Sequence, residues 1–200
     1  MPNLAEASRF MREMPQTFKT RADGENFYIE GFFAVFNKPY ERWEDEIETI
    51  APGAFIEAIA NDDVRALINH DTTLVLGRNK AGTLVLEERP EGLWGSILIN
   101  PKDQDAMNAY ARVERGDVSQ CSFGFDILDY ETVFEEEVYK YTIKKVKLYE
   151  VSICTFPAYT DTEVKTRNAL TLEQRKAERA QHFEAKKLEL IKKLKGEKDG

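Results

Sequence analysis

The sequence predicts an α+β fold: a mainly antiparallel β-barrel core, closed or nearly closed, flanked by helices and followed by a charged C-terminal helix. Three observations point there. β-type stretches recur in hairpin order, two segments between them carry apolar residues at helical spacing, and the final thirty residues differ sharply in charge from the rest.

Residues 1–24 read as a polar leader, 25–168 as the folded body and 169–200 as a charged helix and tail. The first strong signal is 27–36, FYIEGFFAVF, whose aromatic and β-branched residues predict a strand that Asn37-Lys38-Pro39 ends. Residues 46–50 alternate into a short strand. Pro52-Gly53-Ala54-Phe55 then opens a short helix, with Phe55, Ile56 and Ile59 at helical spacing. Further strands are expected at 64–70, 74–77, 83–87 and 93–99, separated by turn residues. Pro101 is expected to begin a helix of about fifteen residues with Ala106, Tyr110 and Val113 on one face, stopped by Gly116. Residues 120–133 and 138–156 are long β-type stretches, and the chain leaves the sheet at Pro157. Thr171-Leu172-Glu173-Gln174 is a capping-box pattern opening a helix to about Lys195. Its partial apolar stripe, Leu172, Ala180, Phe183, Leu188, Ile191 and Leu194, suggests docking or delivery rather than catalysis.

Composition narrows the function classes. The chain carries a formal charge of −8, but residues 171–200 hold nine Lys/Arg against six Asp/Glu, so the body is more acidic than the whole. An acidic body argues against nucleic acid as the main partner, because phosphate binding needs a basic footprint. No apolar run approaches a membrane span, and the first residues lack the pattern of a secretory signal, which points to work in a cytosol. Two cysteines, Cys121 and Cys154, form neither a disulfide framework nor a CxxC pair and are expected to be small buried residues. Two histidines poorly supply a metal site, so neither metal nor cofactor is expected.

Hydrolysis by a serine needs a base beside the hydroxyl and a third polar group to orient that base. His182 lies in the charged terminal helix. His70 ends an apolar stretch before a turn, where a scaffold fixes a side chain yet leaves it accessible; the plainer alternative is a hydrogen-bonded histidine at a strand end. The candidate nucleophile is Ser122 in Gln120-Cys121-Ser122-Phe123-Gly124-Phe125. Alternation sets Cys121, Phe123, Phe125 and Ile127 on one face and Ser122, Gly124 and Asp126 on the other, with Gly124 leaving an open surface. By residue type alone it reads as an ordinary serine on a polar strand face. The same alternation sets Tyr149, Val151 and Ile153 inward and Glu150 and Ser152 opposite, so Glu150 is a candidate orienter of the imidazole, with Asp71 as rival.

Seven short pieces occur in order: Gly31-Phe32-Phe33-Ala34-Val35-Phe36-Asn37, Pro52-Gly53-Ala54-Phe55, Leu67-Ile68-Asn69-His70-Asp71, Leu76-Gly77-Arg78, Gly82-Thr83-Leu84, Ser122-Phe123-Gly124-Phe125, and Glu150-Val151-Ser152 continuing to Thr155-Phe156-Pro157-Ala158-Tyr159. Together they resemble the prohead (procapsid) maturation proteases of tailed bacteriophages, themselves distantly similar to the herpesvirus protease assemblin. The resemblance covers about residues 25–168. It implies a serine endopeptidase with an assemblin-like barrel, in which His70 matches the base, Ser122 the nucleophile and Glu150 the acidic position. It implies the major capsid protein and the scaffold protein as substrates, the portal as a further candidate partner, and action in the host cytoplasm inside assembling proheads. Self-cleavage and homo-oligomerisation stay open. The alternative is a non-catalytic capsid-assembly or scaffold protein that keeps the protease fold.

Overall fold

The computed structural model describes residues 10–15, 18–43 and 45–156, all within one compact unit that spans Ala7–Tyr159. Eleven strands and two α-helices follow in the order β1 (Phe10–Pro15), β2 (Lys19–Asp23), β3 (Asn26–Val35), β4 (Tyr40–Trp43), β5 (Glu46–Ile50), α1 (Ile56–Asn61), β6 (Arg65–Ile68), β7 (Asp71–Arg78), β8 (Leu84–Arg89), β9 (Gly92–Ile99), α2 (Gln104–Arg115), β10 (Gln120–Glu135) and β11 (Val138–Cys154). The charged helix expected at 171–195 lies outside the described residues. Strands β1 and β2 fall within the stretch read as a polar leader.

The strands do not close into the expected barrel. They divide into two sheets, one running β1-β10-β11-β5-β4 with β6 and β7 branching from β11, the other running β2-β3-β9-β8. The pairing is also mixed. β11 meets β10 antiparallel along its length, yet takes β5 in parallel beside residues 139–143 and β6 in parallel beside 150–153. A strand of 17 residues is long enough to serve two short neighbours in succession, which divides the sheet instead of curling it shut.

Local sequence explains the boundaries. α2 starts at Gln104 and not at Pro101 because Asp103 caps it, its carboxylate accepting from the N–H groups of Asp105 (3.0 Å) and Ala106 (3.2 Å). Gly116 ends it in the left-handed conformation (φ 88°), as its position suggested. Ala106, Ala109, Tyr110 and Val113 form its buried face. β6 ends at Ile68, two residues before the end of the expected strand. Asn69 and His70 form the two-residue loop to β7 with positive φ (49° and 61°), the pattern of a type I′ hairpin turn.

Between the sheets lies an aromatic core. Phe33, Phe55, Phe123 and Phe125 are fully buried; Phe123 and Phe125 stack at 4.8 Å, and Phe55 meets Phe123 edge-on at 5.7 Å. Ile29, Leu93 and Ile97 complete it from β3 and β9. Cys121 and Cys154 are both buried thiols, and Cys121 Sγ donates to the Phe33 carbonyl (3.5 Å). A register shift between Gly124 and Phe125 leaves Tyr149 out of the β11 ladder, so Leu148 takes the interior place opposite Phe125. Tyr149, expected inward, instead donates its hydroxyl to Asp126 Oδ2 (2.5 Å).

Two outcomes follow. Phe123→Ala, which removes a ring shared by two aromatic contacts, should destabilise the domain by about 3–5 kcal/mol in denaturant unfolding. Asp63 braces the base of the β6–β7 hairpin through Arg78 and Arg65. The hydrogen bond from Arg78, foremost, lowers its carboxyl from 3.8 to about 2. Because the folded pKa lies below the unfolded one, the pairing contributes fully above pH about 4 and is lost as pH falls through about 2. Asp63→Asn should therefore flatten that acid limb of the stability curve and leave its shape at neutral pH unchanged.

Candidate active site

The turn that carries His70 is clamped to the end of β11. Asn69 N–H donates to the Ile153 carbonyl (2.9 Å), Asn69 Oδ1 accepts from Thr155 N–H (2.8 Å), and Asn69 Nδ2 donates to Thr155 Oγ1 (3.2 Å). His70 N–H donates to Ser152 Oγ (3.3 Å). A left-handed backbone at a non-glycine residue costs on the order of 1 kcal/mol, and here these hydrogen bonds impose it.

Held this way, the imidazole meets Glu150. His70 Nδ1 lies 2.8 Å from Glu150 Oε1, and the second carboxylate oxygen accepts from Ser152 Oγ (2.5 Å). Ser152 Oγ also lies 3.4 Å from Nδ1. Glu150 and Ser152 are buried, and the His70 side chain is 19% exposed. A carboxylate only accepts, so Nδ1 carries the proton in this pair and the neutral ring leaves Nε2 as its acceptor. Nε2 faces Cys154 Sγ at 3.9 Å.

Ser122 stands directly across the ladder from Ser152, and Gly124 across from Glu150, so these residues share one sheet face. The sequence foresaw that alternation but not its environment. Ser122 is fully buried, on no open polar face, and its Oγ has no hydrogen-bond partner among the described residues. The Oε1 of Gln120, two residues earlier, is likewise buried and unpartnered. A cavity of about 180 Å³ lined by Ile68, Asn69, Ala109, Arg112, Ile153 and Thr155 adjoins the clamp that holds the His70 turn.

The structure thus brings His70 and Glu150 into contact, with Ser122 on the adjacent strand. Asp71 is engaged by Thr73: it accepts from Thr73 N–H (2.8 Å) and Thr73 Oγ1 (2.6 Å), and these bonds lower its pKa. Three participants carried no separate signal in the sequence reading. Alternation sets Ser152 on the same face as Glu150 without a role, composition gives Cys154 only as a small buried residue, and the apolar run places Asn69 within a strand. Asn tolerates positive φ, but Asn-His lacks the glycine of the usual two-residue hairpin pairs, so the turn carries only a weak signal in the sequence. Among the described residues no group of three or more His, Cys, Asp or Glu side chains is disposed to hold a metal ion, and no helix is long and apolar enough to cross a membrane.

Comparison with known proteins gives the family of the chain. The prohead protease of Enterobacteria phage HK97 is 31% identical over 145 residues, covering 70% of this chain, which spans about 60% of that relative's length. The capsid assembly protease of bacteriophage T4 superposes with a TM-score of 0.49 at 11% identity, over 74% of this chain and 98% of that one. Residues 16–180, well over half of the chain, match the family described as caudovirus prohead serine protease, and the chain belongs to that family.

Proposed function

We propose that this chain is a serine endopeptidase of capsid maturation, cleaving the major capsid and scaffold proteins of its phage inside the assembling prohead. The observation that carries this reading is the His70–Glu150 contact on the face shared with Ser122, in a chain of the prohead serine protease family. Ser122 is the nucleophile. As its oxygen attacks a peptide carbonyl, His70 Nε2 takes its proton, then returns it to the departing amine. Glu150 holds the ring in the tautomer that keeps Nε2 as the proton acceptor and stabilises the imidazolium that forms. Ser152 is a positioning residue: it donates to Glu150 and accepts from the His70 backbone, fixing both partners at once. Catalytic hydrogen bonds are often unformed in an unliganded site, and the Ser122–Nε2 contact is formed when substrate is bound.

One observation favours a second reading, that of a non-catalytic assembly protein that keeps the fold. The Ser122 hydroxyl is buried and bonded to nothing among the described residues. Incubation with the cognate major capsid and scaffold proteins, with fragments weighed by mass spectrometry, separates the two. The protease reading predicts cleavage at discrete sites that stops in Ser122→Ala, and absence of cleavage by the wild type would favour the assembly reading.

The variants should rank. Ser122→Ala and His70→Ala should each lower kcat/KM on a peptide substrate by on the order of a thousandfold or more, with losses that do not add in the double variant. Glu150→Gln keeps a proton acceptor on the ring and should cost less, about a hundredfold. Ser152→Ala should cost about tenfold, seen in kcat with KM little changed. Wild-type rates in folded Ser122→Ala would remove the assignment. A larger loss in Asp71→Asn than in Glu150→Gln would exchange the two acidic roles.

A further inference from the structure

The cavity beside the His70 turn has room for one side chain. Its volume is about 180 Å³, and a dry cavity of roughly 150 Å³ takes up a benzene ring. Its apolar lining comes from Ala109 of α2, from Val118, and from Ile68 and Ile153 near the ends of β6 and β11. Two charged residues join them, Arg112 in the last turn of α2 and Asp117 just beyond it.

These two charges differ in what they already hold. The Asp117 carboxylate accepts from Arg115 Nε (2.7 Å), so it is matched. Arg112 makes no side-chain hydrogen bond or ion pair among the described residues. An exposed arginine is solvated at little cost, so that free charge alone marks nothing. Beside an apolar hollow, however, it decides which guest fits.

Such a guest carries an apolar group and an anion close together. A free phosphate lacks the apolar part, and an internal Asp or Glu of a peptide is anionic without it. A C-terminal Leu or Phe carries both on one α-carbon, as its side chain and its carboxylate. A guanidinium also matches a carboxylate as a two-pronged donor. Thr155 Oγ1 accepts from Asn69 Nδ2 (3.2 Å) and keeps its own proton to give.

Hydrolysis of a peptide bond produces this chemistry. Water adds across the bond, leaving a carboxylate on one fragment and an amine on the other. Resting on the serine endopeptidase reading above, we propose that this cavity is a second peptide site, which takes the new C-terminal residue of a cleaved fragment when that residue is apolar. Its occupant lies against Asn69 and Thr155, whose mutual bonds hold the His70 turn. A ligand that binds only the clamped form stabilises it, which links product binding to the catalytic base.

Titration calorimetry on the full-chain Ser122→Ala protein tests this with three peptides. They are acetyl-Ala-Ala-Leu with a free C-terminus, the same peptide as its C-terminal amide, and the amide of acetyl-Ala-Glu-Ala. The free acid should bind about tenfold or more tightly than either amide. Arg112→Gln, a change at an exposed position, should remove that preference, and Ala109→Leu, which fills the hollow, should remove binding of the acid. With the free acid at about ten times its Kd, hydrogen exchange at the Asn69 and Thr155 amides should slow about tenfold.

Equal affinity for acid and amide would overturn the proposal and leave the protease reading intact. A preference that persists in folded Arg112→Gln would place binding elsewhere, with the same consequence. Binding of the internal-glutamate peptide as tight as that of the free acid would assign the cavity to acidic side chains and overturn it too. Failure of the wild type to cleave the capsid and scaffold proteins would instead remove the protease reading, and this inference with it.

Discussion

A carboxylate taken out of water must have its oxygens satisfied, and at Glu150 that requirement organises the surrounding chain. One oxygen faces the His70 ring and the other accepts from Ser152. The His70 ring reaches it from a left-handed backbone (φ 61°). That turn exists because Asn69 is fixed at both its backbone and its amide to residues 153 and 155. It stands in the right place because β6 runs parallel to β11 beside residues 150–153. A parallel neighbour brings its C-terminal end, and hence the following hairpin, to the same end of β11 that carries Ser152 and Cys154. An antiparallel one would have carried the hairpin to the other end. Partnering one buried charge thus fixes a turn conformation, a strand direction and the tautomer of the imidazole.

The opposite face of the same strands is governed by packing. Cys121, Phe123 and Phe125 interlock with Phe55 and Phe33, so β10 cannot rotate or slip without exposing its aromatic set. Register on the core face therefore sets register on the polar face, keeping Ser122 opposite Ser152 and Gly124 opposite Glu150. The bulge at Tyr149 lies immediately beyond that pair, where strict alternation is no longer needed, and it diverts Tyr149 to Asp126.

Much of this was legible in the chain. Periodicity located most of the longer strands and both helices, because alternating apolar residues and the Gly116 stop signal act locally. The period-two rule put Ser122 and Glu150 each on the correct face. Tertiary partnership was not legible. Closure of the sheet depends on which strands β11 accepts, and nothing within 138–154 states that β5 and β6 will join it in parallel. β1 has no strong strand pattern of its own and is ordered by the ladder that β10 offers, so a leader was the natural reading. The burial of Ser122 also escaped notice, since alternation tells which face a residue occupies and not what covers that face.

The account stands or falls on how the His70 ring is held. Heteronuclear NMR of the imidazole nitrogens measures this directly, and with two histidines in the sequence a His182→Gln variant assigns the signals. The 2.8 Å contact with Glu150 predicts a neutral His70 ring protonated at Nδ1, with a downfield Nδ1 proton that is lost in Glu150→Ala, and an unprotonated Nε2. A ring protonated at Nε2, or one whose signals do not respond to the loss of Glu150, would contradict it.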